Sequence, residues 1–415
     1  MRGKNTANPD GFASILTMPQ RKILISKSDS GLIALAKEYE MEKIKMTAIC
    51  LFGIEGILAD ELRRMGAEDV AADNGRVDFY GDFSLLARAN IGSRFAERIM
   101  INVGEFTALS FSDLFDGVKA LPWENYIGKD DAFPVTGWSL NSKLFSIPDC
   151  QSIIKKAVVE RLKIKYGTSW FEETGAEHKI RFSILKDKVT VMLDTSGEGL
   201  HKRGYRRQGN EAPIKETLAA AMCDLARIYP DTRLFDTFCG SGTILIEAAL
   251  MATKTAPGLR RFFAAERFDF IPKNVWQEER MSAQDKILHD IDFTATGFDI
   301  DEKAVALTLQ NAKKAGVAKY VKASVADVRD FKMPEGRSLL ITNPPYGERL
   351  LDIREAEELY KVMGERFEKE QGKKYFVISP HDEFEKFFGR TADKRRKLYN
   401  GMIKCQCYMY FKGDK

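Results

Sequence analysis

A short segment with two consecutive prolines is the easiest part of the sequence to translate into chemistry. It reads NPPYGER at residues 343–349. Neither proline has an N–H donor, which leaves the carbonyl oxygen of Pro344 to accept a hydrogen bond from a ligand. The amide oxygen of Asn343 is a second acceptor, and the ring of Tyr346 is a flat surface for stacking. Two acceptors and a ring fit a planar amine and stabilise positive charge that develops on its nitrogen. A plain proline-rich turn is the alternative.

Three aspartates lie at the ends of segments that we predict to be successive strands. They are Asp236, Asp299 within GFDID, and Asp327 within ADV. Because the carboxyl ends of parallel strands meet at one edge of a sheet, we expect the three acids to share a pocket. An acid in the position of Asp299 can bind the ribose hydroxyls of a nucleoside-like cofactor. Asp299 and Asp301 also suit a helix N-cap, and we expect one of the two to be a cap.

A glycine-containing loop joins the first of these strands to a helix. It reads DTFCGSGT at residues 236–243. Gly240 and Gly242 allow a sharp turn and a close approach of the backbone to a ligand, next to unpaired N–H groups at the helix N-terminus. The loop has neither a Walker lysine nor the full G-x-G-x-x-G spacing, which disfavours a triphosphate or a dinucleotide. A tight turn that binds no ligand is the alternative, because it favours the same residues.

Two basic segments are candidates for contact with nucleic acid. The first, HKRGYRRQGNEAPIK at 201–215, surrounds Tyr205 with cations, and the second is KRRKLYNG at 394–401. Cations beside an aromatic ring can hold a phosphate backbone and stack a base. A solvated loop between domains explains the first segment equally well. The candidate RNA-binding residues are Lys202, Arg203, Arg206, Arg207, Lys394, Arg395, Arg396 and Lys397.

Composition limits the class of protein. A length of 415 residues with 44% hydrophobic and 30% charged residues predicts two or three globular domains. A net charge of +4 is too small to identify a polyanionic partner by itself. The six cysteines include no CxxC pair, so we predict neither a metal site nor a disulfide framework. With no signal peptide and no apolar run near the roughly 18 residues of a membrane helix, we predict a cytoplasmic protein without a membrane partner.

The elements that position these residues fall into two regions. Residues 46–200 predict a compact α+β region, with helices at 54–65, 83–91, 111–120 and 149–166 and strands at 47–53, 76–80, 95–103, 133–140, 179–185 and 188–194. Residues 201–415 predict an α/β domain, with strands at 233–239, 294–299, 321–325, 338–342 and 374–379 and helices at 244–252 and 302–315. Such alternation is typical of a parallel sheet with right-handed crossovers.

The two ends of the chain carry separate predictions. Residues 1–45 predict an extension without chemistry of its own. Asn400 and Gly401 predict a terminal antiparallel hairpin between 395–399 and 402–411. On its second strand, Cys405 and Cys407 share one face, which favours core alternation over a metal site.

The motifs occur in order, and together they resemble a class I S-adenosylmethionine-dependent methyltransferase of the amino-methylating type. This resemblance rests on DTFCGSGT, GFDID, ADV and NPPYGER. Three further segments are similar to the THUMP-domain ribosomal RNA guanine-N2 methyltransferases of the RlmL/YpsC type: LHKRGYRR at 200–207, APIKETLAAAM at 212–222 and KRRKLYNG at 394–401. The resemblance covers about residues 46–412.

The resemblance implies a fold, a cofactor and a set of site residues. The fold is a Rossmann-like class I methyltransferase sheet with an antiparallel terminal hairpin, preceded by a ferredoxin-like segment and a THUMP domain that binds RNA. S-adenosylmethionine is the implied cofactor. The implied contacts are Asp236, Gly240 and Gly242 with its methionine moiety, Asp299 with its ribose, Asp327 with its adenine amine, and Asn343, Pro344 and Tyr346 with the target guanine. Thr237 stands where the family usually has proline, which removes none of these contacts.

The implied activity is methyl transfer to the N2 amine of a guanine in structured RNA, foremost 23S ribosomal RNA or its precursor. Transfer RNA is the nearest alternative, because THUMP domains also occur on enzymes that modify it. A DNA amino-methyltransferase and a non-catalytic RNA-binding protein with the same fold are more distant alternatives. The connection at 257–292 either covers the cofactor or only packs.

Overall fold

The computed structural model of the chain describes residues 43–206, 214–346 and 353–412. Within these ranges the strands form two seven-stranded sheets. The first sheet consists of β1 (Ile44–Cys50), β2 (Glu68–Asp73), β3 (Arg76–Gly81), β4 (Ala96–Thr107), β5 (Val135–Leu140), β6 (Ile180–Leu185) and β7 (Lys188–Asp194). Its helices are α1 (Glu55–Arg64), α2 (Phe83–Gly92), α3 (Phe111–Ala120) and α4 (Ile147–Tyr166).

The first sheet is continuous because one long strand belongs to two halves of the N-terminal region. The strand order is β2-β3-β1-β4-β7-β6-β5. The start of β4 pairs with β1, and its remaining residues pair with β7, both antiparallel. Only β5 and β6 are parallel in this sheet. Neighbouring strand ends therefore point in opposite directions, and polar loop residues are divided between two edges.

The second sheet has the order β10-β9-β8-β11-β12-β14-β13. Its strands are β8 (Arg233–Asp236), β9 (Thr294–Asp299), β10 (Val321–Val325), β11 (Ser338–Thr342), β12 (Lys373–Ser379), β13 (Lys394–Asn400) and β14 (Ile403–Tyr410). Its helices are α5 (Glu216–Ala226), α6 (Thr243–Ala252), α7 (Lys273–Asp285), α8 (Glu302–Ala315), α9 (Ile353–Arg366) and α10 (Phe384–Phe388). The predicted α/β class with its α+β N-terminal region is confirmed.

The second sheet is buried on both faces, which explains its strand sequences. In β11, Leu339 and Ile341 join one hydrophobic cluster, whereas Leu340 joins another on the opposite face. A continuous apolar run is typical of such a strand. Cys405 and Cys407 of β14 are buried in the first cluster, so the interpretation of these cysteines as core residues is confirmed.

The terminal hairpin brings its turn to the edge of the sheet where the parallel strands end. Strands β12 and β13 are both antiparallel to β14, so they run in the same direction. The turn after β13 therefore lies at the same edge as the carboxyl ends of β8 to β12. Asn400 pairs with Ile403, so the turn residues are Gly401 and Met402, one position later than predicted. Gly401 has a φ of 65°, which favours glycine.

The sequence analysis missed strand β2 and helices α5, α7, α9 and α10, and for β2 and α5 the physical reason is visible. Strand β2 is almost entirely exposed and lacks the alternation that marks a half-buried strand. Helix α5 is buried nearly all round, so it shows no amphipathic stripe. The predicted extension 1–45 lies outside the described residues up to position 42, and Ile44 and Lys45 already belong to β1.

The connection at 257–292 packs against the N-terminal region. The ring of Phe268 stacks on His178 with a centroid distance of 4.0 Å, and Phe270 meets Tyr126 edge-on at 5.4 Å. Arg88 of α2 donates two hydrogen bonds to the carboxylate of Glu279 in α7. The side chains of this connection thus join the two sheets. The sequence analysis left open whether this connection covers the cofactor or only packs, and these contacts support packing.

Candidate active site

A cavity of about 1240 Å³ lies at the carboxyl edge of the second sheet. Four successive strand ends contribute to it: the loop after β8, the end of β9, the residues after β10 and the segment after β11. All three aspartates of the prediction line it, together with Gly240, Asn343, Pro344 and Tyr346. Ligand sites of open α/β sheets occur at this edge. The volume is sufficient for a nucleoside cofactor together with a base.

Asp236 ends β8 and is 1% exposed. Its Oδ1 accepts hydrogen bonds from the hydroxyl of Thr342 at 2.6 Å and from the N–H of Phe238 at 3.1 Å. Within the described chain Oδ2 accepts none, so that oxygen is left to a ligand. Burial raises the pKa of Asp236 to about 7, although the bond from Thr342 opposes this rise. The bond from Thr342 also couples the loop after β8 to the segment after β11.

The carboxylate of Asp299 ties two loops together. Its Oδ2 accepts a hydrogen bond from the N–H of Gly240 at 2.9 Å, and its Oδ1 accepts one from the N–H of Asp301 at 3.0 Å. Each oxygen retains a second lone pair for a ligand hydroxyl. Asp301 is the N-cap of α8, with its side chain accepting from the N–H of Lys303. The expectation that one of these two acids is a cap is confirmed, and the cap is Asp301.

The two glycines of the loop have different surroundings. Gly240 has a φ of 53° and open space where a Cβ would lie. Gly242 is the N-cap of α6 with a φ of 78°, and a Cβ there would come within 2.8 Å of Thr308. Gly242 does not line the cavity within the described residues. It was predicted as a cofactor residue, and the structure instead explains it by the close packing of α6 against α8.

Asp327 lies at the cavity with a partner that the sequence analysis did not foresee. Its carboxylate accepts hydrogen bonds from the N–H of Arg329 and from the Arg329 guanidinium, both at 2.8 Å. The bond from the backbone N–H, followed by that from the guanidinium, lowers the pKa of Asp327. The carboxylate is therefore ionised and able to accept from an amine. Arg329 also lines the cavity.

The residues after β11 present acceptors toward the cavity. Within the described residues, neither the side-chain amide of Asn343 nor the carbonyl of Pro344 is used in a hydrogen bond. The carbonyl of Pro345 accepts from the hydroxyl of Tyr360, a buried residue of α9, at 3.4 Å. The hydroxyl of Tyr346 accepts from the side chain of Asn400 at 3.0 Å. The segment is thus held by α9 and by the hairpin, and two acceptors remain for a substrate.

Several lining residues carried no readable signal in the sequence. Lys215 lines the cavity and pairs with Glu97 of β4 at 3.1 Å. The start of α9 and the hairpin turn also contribute, with Arg354, Glu355, Glu358, Leu359, Asn400, Gly401, Met402 and Ile403. The sequence predicted the hairpin itself, but not that its turn reaches this edge, which depends on the strand order. The connection at 257–292 contributes no lining residue among those described.

The first basic segment folds into the contact between the two sheets, which we call the domain junction: Arg94, Glu97, Arg203, Tyr205, Arg206, Glu216 and Glu247. The side chain of Arg203 is 2% exposed, donates to the carbonyls of Leu200 and Arg94 at 2.6 Å, and lies 3.6 Å from Glu247. The structure contradicts the prediction that Arg203 binds RNA, because its side chain is almost fully buried. Its charge instead compensates the buried Glu247.

The neighbours of Arg203 follow the same pattern. Tyr205 is 3% exposed and donates its hydroxyl to Glu247 at 3.0 Å, so it cannot stack on a base. Arg206 pairs with Glu216 at 3.0 Å and donates to the hydroxyl of Thr243. Lys202 is exposed and pairs with Glu198. Arg207 lies outside the described residues.

The second basic segment lies on the surface of β13. Lys394 and Lys397 are exposed, and neither forms an ion pair within the described ranges. Arg395 is occupied by Glu385 through two hydrogen bonds. Arg396 donates to the carbonyl of Gly53 at 2.8 Å and so binds β13 to the N-terminal region. Two of the four predicted cations are therefore available to phosphate.

The described residues carry neither a metal centre nor a membrane-spanning helix. No group of three or more His, Cys, Asp or Glu side chains could hold a metal ion among them. In the same part of the chain, no helix has the length and apolar character needed to cross a membrane.

Family models match almost the whole described chain. An RlmL ferredoxin-like domain matches residues 45–100, a THUMP domain 108–194, and an RMKL-like methyltransferase domain 203–409. YpsC of Bacillus subtilis (strain 168), which carries the name of an RNA methyltransferase, is 43% identical over 373 residues, covering 89% of this chain and 97% of YpsC. The chain belongs to this RlmL-like family of THUMP-containing methyltransferases. The predicted family is confirmed.

Two further relatives extend the comparison. The ribosomal RNA large subunit methyltransferase K/L of Syntrophotalea carbinolica is 33% identical over 88% of this chain, and the chain spans 53% of that protein. The chain therefore corresponds to about half the length of the K/L relatives. A solved structure described as a methyltransferase complexed with SAH is 41% identical, with a TM-score of 0.85, 90% coverage of this chain and 99% of that one.

This family member is an S-adenosylmethionine-dependent methyltransferase, as predicted. The side chains of the cavity fit the cofactor: its edge carries three acids, one of them with an oxygen left unused, and an open glycine lies beside them. Carboxylates accept hydrogen bonds from the ammonium group, the ribose hydroxyls and the adenine amine of this cofactor. Because Gly240 has no side chain, the cofactor can approach the backbone there closely. Thr237 lines the same cavity without obstructing any of these groups.

Proposed function

We propose that the chain methylates the exocyclic N2 amine of a guanine in RNA, foremost 23S ribosomal RNA. The observation that carries this proposal is the pair of unused acceptors, the amide of Asn343 and the carbonyl of Pro344, beside Tyr346 in the same cavity as the three acids. An exocyclic amine has two N–H donors and belongs to a flat ring. It therefore matches two acceptors and one aromatic surface.

We assign the three acids to the binding of the cofactor. S-adenosylmethionine supplies an electrophilic methyl group when it is bound. We assign the free oxygen of Asp236 to the ammonium group of the methionine moiety, with the backbone at Gly240 beside it. Asp299 is assigned to the ribose hydroxyls and Asp327 to the adenine amine. Gly242 is withdrawn from this set because it packs against Thr308.

The substrate half of the cavity activates a weak nucleophile. The lone pair of a nucleobase amine is delocalised into its ring, so nitrogen becomes nucleophilic only as it turns tetrahedral. Hydrogen bonds accepted by Asn343 and Pro344 favour that geometry and stabilise the positive charge that grows on nitrogen. By analogy with oxyanion donors, one preorganised group of this kind contributes about 2.7–4 kcal/mol to the barrier reduction. Tyr346 stacks on the base and is held by Asn400.

The choice of ribosomal RNA over transfer RNA follows from the relatives. K/L proteins that share 33–35% identity with the chain carry ribosomal RNA methyltransferase names. The exposed Lys202, Lys394 and Lys397 would contact phosphates at a distance from the cavity. A cytoplasmic location is part of the proposal, supported by six buried cysteines that are all free thiols.

The decisive experiment compares RNA from a wild-type strain with RNA from a strain that lacks the gene. We expect one N2-methylguanosine in 23S ribosomal RNA to disappear in the deletion strain and to return when purified protein and labelled cofactor are added to that RNA. Loss of the modification from transfer RNA instead would assign the other substrate. Labelling of DNA adenine would overturn the guanine assignment. Labelling of no nucleic acid would overturn the proposed function.

A further inference from the structure

The turn of the terminal hairpin exposes one large apolar side chain at the mouth of the cavity. Met402 is 96% exposed, the highest value among the large apolar residues that the structure describes. It lines the same cavity as Asn343, Pro344 and Tyr346. Single exposed apolar residues are common on protein surfaces and need no explanation by themselves. Met402 differs from these because it lies beside the proposed base-binding residues, where a nucleobase can contact it.

The turn is held firmly at this position. Asn400, at the end of β13, donates to the hydroxyl of Tyr346 at 3.0 Å, which ties the hairpin to the segment after β11. Arg396, on the same strand, donates two hydrogen bonds to the carbonyl of Gly53. Gly53 itself packs so closely that an added Cβ would lie 2.4 Å from the carbonyl oxygen of Lys397. These contacts therefore fix the position of the turn that carries Met402.

The surface beside the turn suits a nucleic-acid backbone. Tyr399 and Lys404 are strand partners, and Lys397 lies on the same face of β13, with its ammonium group 5.3 Å from the centre of the Tyr399 ring. Lys397 and Lys404 are exposed and form no ion pair within the ranges that the structure describes. Phe52 of the N-terminal region packs edge-on against Tyr399 at 5.7 Å and is 52% exposed. The surface beside Met402 thus carries both cations and aromatic rings.

We propose that Met402 enters the base stack of the RNA and fills the space that the target guanine leaves when it moves into the cavity. This inference rests on the proposed function, since it requires a nucleobase substrate. A paired guanine cannot present its amine to Asn343 while it stays stacked, and leaving the stack has an energetic cost. Apolar side chains that insert between bases offset this cost, and methionine is among those that do so. Lys397 and Lys404 hold the flanking phosphates.

The test uses two short RNAs that contain the target guanine and its flanking sequence, mapped with the wild-type protein. In one RNA the guanine is paired with cytosine inside a helix, and in the other it lies in a single-stranded segment. For Met402→Ala we expect kcat/KM to fall about tenfold or more on the paired RNA and to stay within about twofold on the single-stranded RNA, because moving a base out of a helix costs far more than moving a single-stranded base. Met402→Leu should restore most of the loss, since leucine also inserts between bases.

A second readout does not depend on methyl transfer. With 2-aminopurine in place of the guanine and uracil opposite it, so that the base is still paired, wild-type protein with S-adenosylhomocysteine should raise the fluorescence as the base unstacks, and Met402→Ala should lose most of this rise. Met281→Ala is the matched control, because Met281 is 58% exposed on α7 and does not line the cavity. Calorimetry with S-adenosylhomocysteine should give the same affinity for all of these proteins.

The outcomes separate the inference from the proposed function. Equal losses of Met402→Ala on both RNAs, or no loss on either, would overturn the role of Met402 while leaving the enzyme assignment intact. Retention of the full fluorescence rise in Met402→Ala would do the same. If the wild-type protein methylates no guanine in any RNA, the proposed function fails and the inference fails with it.

Discussion

The cavity and the domain junction are both rich in charged side chains, yet they differ in how the charges are satisfied. In the junction, Glu247 accepts from Tyr205 and lies 3.6 Å from Arg203, whose guanidinium donates to two carbonyls, and the atoms of this pair that make no hydrogen bond are buried away from any ligand. In the cavity, Asp236 keeps an unused oxygen and Asn343 an unused amide. Internal partners indicate a contribution to stability, whereas unused atoms facing a cavity indicate a contribution to binding. Mutations in the two regions should therefore affect different measurements.

The largest expected effect is a loss of stability from the junction. Arg203→Met removes the cation that lies 3.6 Å from the buried Glu247, and breaking a buried ion pair in this way typically costs about 3–5 kcal/mol of unfolding free energy. Chemical denaturation measures this loss. Lys202→Met is the matched control, because the exposed pair of Lys202 with Glu198 contributes about 0–1 kcal/mol. Similar unfolding free energies for the two variants would contradict the structural role of Arg203.

The second-largest expected effect is a loss of turnover from a change in the cavity, with the stability of the protein unchanged. Asn343→Ala removes one acceptor from the substrate amine, so we expect kcat to fall about 100- to 1000-fold, by analogy with the loss of an oxyanion donor. The affinity for S-adenosylhomocysteine, measured by calorimetry, should stay near that of the wild type. Wild-type turnover in this variant would defeat the role of Asn343.

Asp299 and Asp301, two positions apart in the sequence, test the same contrast between binding and stability. Asp299→Ala should weaken S-adenosylhomocysteine binding about tenfold or more, because hydrogen bonds to a charged group contribute about 1.5–3 kcal/mol. Asp301→Ala removes the N-cap of α8 and should lower stability by about 0.5–2 kcal/mol while the affinity is retained. The opposite result would transfer the ribose role to Asp301.

The pH dependence of cofactor binding should follow Asp236. Its pKa is raised to about 7, so the unbound carboxyl is mostly protonated below that pH and ionised above it. An ammonium group prefers the ionised form, and S-adenosylhomocysteine affinity should rise roughly tenfold between about pH 6 and pH 8. The stability of the unbound protein should change in the opposite sense, because a raised carboxyl pKa favours folding only while the proton is bound. Asp236→Asn should abolish both dependences, and their persistence would assign them elsewhere.

The smallest effect is expected at the exposed cation of β13. Lys397→Ala should not change stability, because Lys397 has no acidic partner within the described residues. If the lysine contacts one phosphate, the slope of log affinity for RNA against log salt should fall by about 0.7–0.9. Filter binding at several salt concentrations measures the slope. An unchanged slope would remove Lys397 from the RNA surface.

The candidate site was more predictable than the basic segments because of how parallel strands are built. Asp236 and Asp299 each end a strand, Asp327 and Asn343 each come directly after one, and parallel strands end at a common edge, so sequence order alone brought them together. The basic segments carry no such constraint. A run of cations has the same composition whether it faces water or a buried carboxylate, and Arg203 and Lys397 differ only in what the fold places next to them.

The sequence by itself determined the parallel sheet, the acids at its edge and the acceptors after its fourth strand, because each is written in local periodicity and in residue type. Only the tertiary structure decided which charged residues are buried, that Gly242 serves packing, and that the hairpin turn with Met402 reaches the cavity. These outcomes depend on contacts between residues far apart in the chain. Glu247 lies 44 positions from Arg203, and Asn400 lies 54 positions from Tyr346. No local pattern encodes such pairs, since they form only when separate elements pack.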